Sequence, residues 1–392
     1  MPARPRQFWI GGIVLAVTIT AACTISATVG SSGGNTGGTP NLAEGGGATA
    51  RQQPGMPMGL DYGATLFKAS PAAIDTSLDE AVGLGDSWVR VDLPWDGIQP
   101  SDSETAHDWS RFDTFVDAAD KRGLKLLVTV VDPPVWARVS SCAAQEACAP
   151  VSAQAYADFA AAAATRYAKD GVHDWEIWNE ENLGAFATTA DPEKAYTEVI
   201  EDASIALHKA DPAAVVVLGG LGMVDTVQAR DWISAYAFLS GVARDGGLGY
   251  ADAIGVHPYG APFLPADSPV FKEIDSDPHS LESILKQYGR ADIPFWITET
   301  GATTQGPGPA AADEGSATAG ATHVTEAWQA RIATATVATA TTDPHISALF
   351  WYSDVDLPAS GLYYGLMTSS GAPKPAYAAM KAAIAAYRSH LH

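Results

Sequence analysis

The chain has 392 residues, 47% hydrophobic and 17% charged, which is enough apolar content for a large globular core. Its 45 acidic and 23 basic residues leave a formal net charge of −22. That field repels phosphate backbones and anionic lipid, which argues against nucleic acid as a partner; a neutral partner meets no such barrier.

At the amino terminus Arg4 and Arg6 precede an apolar run from Phe8 to about Ile19, followed by Thr20-Ala21-Ala22-Cys23. This is the order of an export signal, and the run is shorter than the ~20 apolar residues of a spanning helix. The small residues before Cys23 resemble the lipobox of bacterial lipoproteins, with Thr20 where that motif carries leucine. The resemblance implies lipidation of Cys23 and a tether to the cell membrane, with ordinary secretion or an uncleaved anchor as the alternatives. Residues 24–57, dominated by Gly, Ser, Thr, Ala and Pro, read as a flexible linker. Residues 58–392 read as one globular domain, expected as a monomer.

From Met58 onward, strand-like apolar runs alternate with longer helical stretches. The first strand is expected over Leu60–Thr65, with a helix near Ala72–Gly83. The second is Ser87–Leu93, with a helix over Ser110–Lys121, and the third is Leu124–Val131, with a helix over Ala153–Lys169. His173–Trp178 and a helix at Pro192–Lys209 follow, then Ala214–Leu218 with Arg230–Ser240 in its helix. Ala253–His257 precedes a helix near Ser280–Tyr288, and Pro294–Thr298 precedes one over His323–Ala340. Ile346–Tyr352 is the last strand, and Pro375–Tyr387 closes the chain as a helix. Eight such units predict a single (β/α)8 barrel of the TIM type. Two long connections, Pro258–Pro278 and Ala302–Ala321, read as weakly structured loops over the mouth. Cys142 and Cys148 share a short polar stretch and are expected to form a disulfide in an oxidising compartment; a structural zinc would need two more ligands.

Two stretches stand out, Trp175-Glu176-Ile177-Trp178-Asn179-Glu180-Glu181-Asn182 and Pro294-Phe295-Trp296-Ile297-Thr298-Glu299-Thr300-Gly301. Each ends an apolar strand in a carboxylate, and ligands of parallel barrels sit at those strand ends. Two glutamates 119 positions apart can form the pair that glycoside hydrolysis needs, ~5–5.5 Å apart for retention and ~6.5–9.5 Å for inversion. Strand parity puts Phe295, Ile297 and Glu299 on one face, with Trp296 and Thr298 towards the helices. It also groups Glu176, Trp178 and Glu180, so that Asn179 and Glu180 can act together only if a bulge breaks the alternation. Glu176 reads as a buried structural carboxylate whose partner the sequence does not name.

These two stretches resemble the signatures of glycoside hydrolase clan A, most closely family 39, with family 5, the cellulase family, second. The likeness runs from about Met58 to the end. The resemblance implies that Glu180 is the acid/base, Glu299 the nucleophile and Asn179 the anchor of the sugar 2-hydroxyl. It further implies that Arg90 keeps the nucleophile ionised, that His257 and Tyr259 orient it and meet the sugar, and that Trp351 floors the subsite. Trp136, after Pro133-Pro134, is a candidate sugar platform. Glu181 stands where the motif usually has proline, and Val131-Asp132-Pro133-Pro134 lacks the histidine of family 5, which favours family 39. The expected activity is retaining hydrolysis of an extracellular or cell-wall polysaccharide, without cofactor or metal. The absence of a trailing β-domain favours endo action over an exo-acting β-xylosidase or β-glucosidase; the rival class is an inactive carbohydrate-binding lipoprotein.

Overall fold

The computed structural model describes residues 55–102, 107–145 and 147–391. The expected export signal, the lipobox-like segment at Cys23 and nearly all of the expected linker lie outside them. Among the described residues no helix is long and apolar enough to cross a membrane.

Eight parallel strands close into a barrel: β1 (Met58–Asp61), β2 (Trp88–Pro94), β3 (Lys125–Val131), β4 (Asp174–Asn179), β5 (Val215–Gly222), β6 (Ala253–His257), β7 (Phe295–Ile297) and β8 (Ile346–Tyr352). The seam is the pairing of β1 with β8, where Asp61 lies opposite Tyr352; on its other side Asp61 lies opposite Arg90. The expected (β/α)8 barrel is therefore present. The outer helices are α1 (Pro71–Leu84), α2 (Ser110–Asp120), α3 (Ala153–Tyr167), α4 (Pro192–Ala210), α5 (Ala235–Arg244), α6 (Leu281–Gln287), α7 (Glu326–Thr342) and α8 (Pro375–Ser389).

Local chemistry starts these helices where the sequence supplies caps. Ser70, Ser152, Asp191, Ser234, Ser280 and Thr325 each accept the amide three residues on, a contact of about 1 kcal/mol, and proline follows directly at 71 and 192. Outside the barrel, Val89, Leu126, Ile177, Ile254 and Ile297 join the apolar layer beneath the helices. Inside it, Trp88, Leu127, Val217, Trp296 and Phe350 form a separate packed floor, with Trp88 and Trp296 edge to face at 6.2 Å.

That floor corrects the expected parity of β7. Trp296 points into the barrel, and Phe295 and Ile297 pack beneath the helices. The strand ends at Ile297, and beyond it Thr298 and Glu299 both turn to the mouth. The expected first strand also ends early, at Asp61 rather than Thr65, and α5 starts at Ala235 rather than Arg230. The fifth strand runs on to Gly222, beyond the expected Leu218.

The two long connections are more ordered than expected. The first holds a short helix, Pro269–Asp275, and in the second Ala310–Ala311 pairs with His323–Val324. Leu264 N–H donates to Glu314 Oε1 (2.8 Å) and Trp328 Nε1 to Pro262 O (2.8 Å), so the first loop is held by the second and by the first turn of α7. Cys142 and Cys148 are bonded, with their Cα atoms 5.6 Å apart. Just after this bridge, Ala149 N–H donates to Ala185 O, tying the loop after β3 to the one after β4.

Candidate active site

Arg90 organises the mouth. Fully buried on β2, its guanidinium reaches Glu176 through Nε (2.6 Å), Glu299 and Asp61 through Nη1 (2.8 and 3.1 Å) and Asn179 Oδ1 through Nη2 (2.7 Å). One rigid fork thus joins β1, β2, β4 and the end of β7, a task that the point charge of a lysine could not perform. Glu176 Oε2 also accepts from Thr129 Oγ1 (2.8 Å), so Arg90 and Thr129 together hold this one oxygen of the buried carboxylate.

The end of β4 shows how Asn179 and Glu180 both face the mouth. Trp178 and Glu180 adopt left-handed backbone (φ 77° and 48°), and Trp178 packs on Tyr156 and Phe186, away from Glu176. The expected grouping of Glu176 with Trp178 is therefore wrong. The register of β4 on β5 stays constant through Asn179. The bulge lies one strand over, where β5 slips against β6 between Leu218 and Leu221. Gly220 falls in that segment, and a Cβ there would stand 1.9 Å from His257 Nε2. Only glycine leaves room for the imidazole.

His257 links the two glutamates. Its Nδ1 lies 3.2 Å from Glu180 Oε1 and 3.7 Å from Glu299 Oε2, and its Nε2 lies 3.1 Å from Thr298 Oγ1. Those two carboxylate oxygens are therefore at most about 7 Å apart, within reach of the ~5–5.5 Å of a retaining pair. Tyr259 O–H donates to Glu299 Oε2 (2.8 Å). Burial opposes the charge on Glu299, but His257, Arg90 and the Tyr259 hydrogen bond outweigh it and hold this carboxyl below its ordinary range. Burial likewise opposes the imidazolium of His257, and the charges of Glu299 and Glu180 overcome it, raising its pKa.

Asp61, which the sequence reading missed, completes the set. Its Oδ1 takes Arg90 Nη1 and the Gly63 amide. Burial pushes its carboxyl up to about 7, with Arg90 opposing and Glu299 assisting. Burial also raises Asp174, at the foot of β4, to about 7, and lifts Asp86 and Asp92 well above the carboxylate range. The folded state keeps these protons where the unfolded chain has released them, from about pH 4 upward, so stability falls as pH rises towards 7. Glu299 acts in the opposite sense, only at lower pH. The unfolding temperature is expected to drop by roughly 5 °C or more between pH 5 and pH 7.5, read by differential scanning calorimetry in buffers of equal ionic strength.

Of the expected sugar contacts, Trp136 sits on the rim, 37% exposed, edge to face with Trp95 and donating Nε1–H to Gln99 O (3.3 Å). Trp351 is not a subsite floor. It is fully buried in the layer beneath the helices, with its indole donating to Tyr364 O (3.2 Å). Its neighbour Tyr352, in phase with inward-facing Ala348 and Phe350, faces the mouth beside Glu299 and Asp61 and packs with Tyr364 and Tyr259. Near the end of β8, Asp354 accepts from Ser77 Oγ (2.8 Å) and Asp356 from Lys374 Nζ (2.7 Å). At the opposite end of the barrel, His345 meets Asp275 (3.1 Å) and Glu282 (2.9 Å) in an ion-pair network.

The fold is shared with solved glycoside hydrolases. A family 39 glycoside hydrolase from the gut symbiont Bacteroides cellulosilyticus WH2 superposes with a TM-score of 0.60 at 21% identity, over 84% of this chain and 63% of that one. The present chain thus spans less than two thirds of that protein's length. GH5_18 from Streptomyces cattleya, solved in complex with GlcNAc, gives a TM-score of 0.60 at 18% identity, covering 85% and 80% of the two chains. Xylanase 10B from Thermotoga maritima gives 0.55 at 15% identity, covering 86% and 97%. No curated protein matches the sequence. Clan A is the clan that the two strand-end stretches resemble, and family 5 was the second of the two families named. Residues 52–354 match the family model for cellulase, and the chain belongs to that family, glycosyl hydrolase family 5.

Proposed function

We propose that this chain is a retaining glycoside hydrolase acting on an extracellular or cell-wall polysaccharide, with Glu299 as nucleophile and Glu180 as acid/base. The observation that carries the reading is the shared contact of both carboxylates with His257 Nδ1. It brings their facing oxygens within about 7 Å of each other, a bound that accommodates the ~5–5.5 Å separation of a retaining pair. Their surroundings divide the roles. Glu299 is held by Arg90 and Tyr259 and kept ionised, as an attacking carboxylate must be. Glu180 has His257 as its contact and a partly exposed side chain, so it can meet a leaving oxygen and later a water.

In the first step Glu299 attacks the anomeric carbon while Glu180 gives its proton to the departing oxygen, forming a glycosyl ester. Glu180, now a carboxylate, takes a proton from water, which attacks the same carbon and frees Glu299. Asn179, oriented by Arg90, offers its amide N–H to the sugar 2-hydroxyl, and Trp136 offers an aromatic face on the rim. Similar folds include a β-xylosidase and an exo-β-1,4-mannosidase, so β-linked xylose, mannose and glucose units are the first substrates to screen. Endo action and export to the cell surface through a lipidated Cys23 complete the proposal.

Incubation with 2-deoxy-2-fluoro glycosides bearing a dinitrophenyl leaving group is expected to trap one sugar per chain on the peptide containing Glu299, read by mass spectrometry. A chain that binds these sugars without a covalent adduct is a binding protein, and the proposal fails.

A further inference from the structure

Glu181 is the residue of the β4 stretch that the site does not use. Its side chain faces neither sugar nor solvent. It is 1% exposed and turns behind the carboxyl ends of β4 and β5. The titratable groups facing it are Tyr156 on α3, Tyr196 on α4, Glu176 on β4 and the adjoining Glu180, with no cation among them. Both phenols are committed: Tyr156 donates to Val130 O (2.7 Å), and Tyr196 donates to Ile177 O and accepts the Gly219 amide (2.8 Å each). Among the described residues neither carboxylate oxygen of Glu181 has a hydrogen-bond partner within 3.5 Å. A buried carboxylate without a charge partner takes up a proton: burial, with Glu176 and Glu180 adding to it, outweighs the opposing pull of its own backbone amide and the Tyr196 phenol and pushes this carboxyl well above its ordinary range.

The seat is shaped for it. A Cβ on Gly219 would stand 2.5 Å from Glu181 Oε2, so β5 leaves a slot for this carboxyl. Next to that slot, Glu180 N–H donates to Gly220 O (3.0 Å), and Glu180, with φ at 48°, turns the opposite way to meet His257. Adjacent residues share one backbone, so seating Glu181 outward holds Glu180 inward.

We propose that Glu181 is a positioning residue for Glu180: seated as a neutral acid behind β4 and β5, it fixes the strand end from which Glu180 reaches the mouth, and loss of its proton releases that end and ends activity on the alkaline side. The proposal rests on the reading of Glu180 as acid/base. Its pH sign follows from the buried proton. The folded state holds that proton where the unfolded chain has lost it, so the folded-to-unfolded ratio falls about tenfold per pH unit above the ordinary glutamate value.

The test uses the full chain, native and as Glu181→Gln and Glu181→Met, assayed from pH 5 to 10 on 4-nitrophenyl β-xyloside, β-glucoside and β-mannoside. Urea unfolding is followed over the same range. Both variants are expected to keep native activity within about threefold near pH 6. Their alkaline limb of kcat/KM should move up by about one pH unit, and their folded-to-unfolded ratio should lose up to about tenfold per pH unit of its alkaline decline. If the variants only lose stability equally at every pH, with the alkaline limb unmoved, Glu181 is merely structural and the proposal is overturned. If the native chain hydrolyses none of the glycosides while the urea slopes still differ, the acid/base reading of Glu180 fails and the positioning role with it, although the buried proton stands. Should Gln not fold, Met decides.

Discussion

Glu299→Ala is expected to lower kcat on an activated aryl glycoside by at least about 10⁴-fold, with azide or formate restoring turnover. The loss follows from the geometry. Among the described residues no other carboxylate is held by both Arg90 and Tyr259, so no neighbour is expected to take over the attack. The cavity left by the missing carboxyl admits a small anion, which attacks from the same face and leaves with the sugar. The product should therefore be a glycosyl azide of inverted configuration, identifiable by NMR. Near-normal activity in Glu299→Ala, or rescue that gives only free sugar, would contradict the nucleophile assignment.

Arg90→Met is expected to cost more than activity. The guanidinium compensates Asp61, Glu176 and Glu299, all buried, and removing one partner of a buried charge network costs about 3–5 kcal/mol. The carboxyls left behind lower that cost by taking up protons, and this moves the chemistry as well. Glu299 loses one of the two charges that hold its pKa down, so its protonated fraction grows and the acid limb of kcat/KM shifts to higher pH. Activity should fall by at least about 100-fold at pH 5 and recover in part as pH rises. Arg90→Lys keeps the charge but cannot reach Glu176, Glu299 and Asn179 together, so it should retain stability better than activity. Urea unfolding and a pH–rate profile measure the two effects separately. An unmoved acid limb in Arg90→Met would show that Arg90 does not tune the nucleophile.

Much of this was readable from the chain. The eight-unit alternation was visible because strands of a parallel barrel are near-continuous apolar runs and the helices between them carry capping residues. Glu180 and Glu299 could be named because carboxylates closing apolar strands are costly without a use, while Arg90, Asn179, His257 and Tyr259 followed from the resemblance to clan A; the structure brings all six together. The orientations were less legible. Parity counting assumes extended backbone throughout, and the left-handed turn at Trp178 and the early end of β7 at Ile297 violate that assumption with no glycine to announce it. On β8 the resemblance pointed to Trp351, but the residue that meets the mouth is its neighbour Tyr352, since one position decides which face of the strand is presented. Asp61 had a signal that was overlooked: an acidic residue closing Met58-Gly59-Leu60, the same pattern that exposed Glu299. Glu181 was recognised as a departure, but that it would be sealed behind the sheet depended on Gly219 and two tyrosines that only folding brings to it.

The reach of Arg90 has a consequence for assembly. It holds Glu176, 86 positions away, and Glu299, 209 positions away. Asp61, Arg90, Glu176 and Asn179 come from the first four strands, while His257, Tyr259 and Glu299 come from the last four. On the proposed assignment, neither half-barrel contains both glutamates with their supports, so a partly assembled chain is expected to have no weak version of the activity. Closing contacts of such separation comes late, because the loop entropy must be spent before they form. Under the proposed function, catalytic competence is expected only once the ring is whole, so that regain of turnover during refolding would count chains whose two halves have joined, not chains that have merely formed helices.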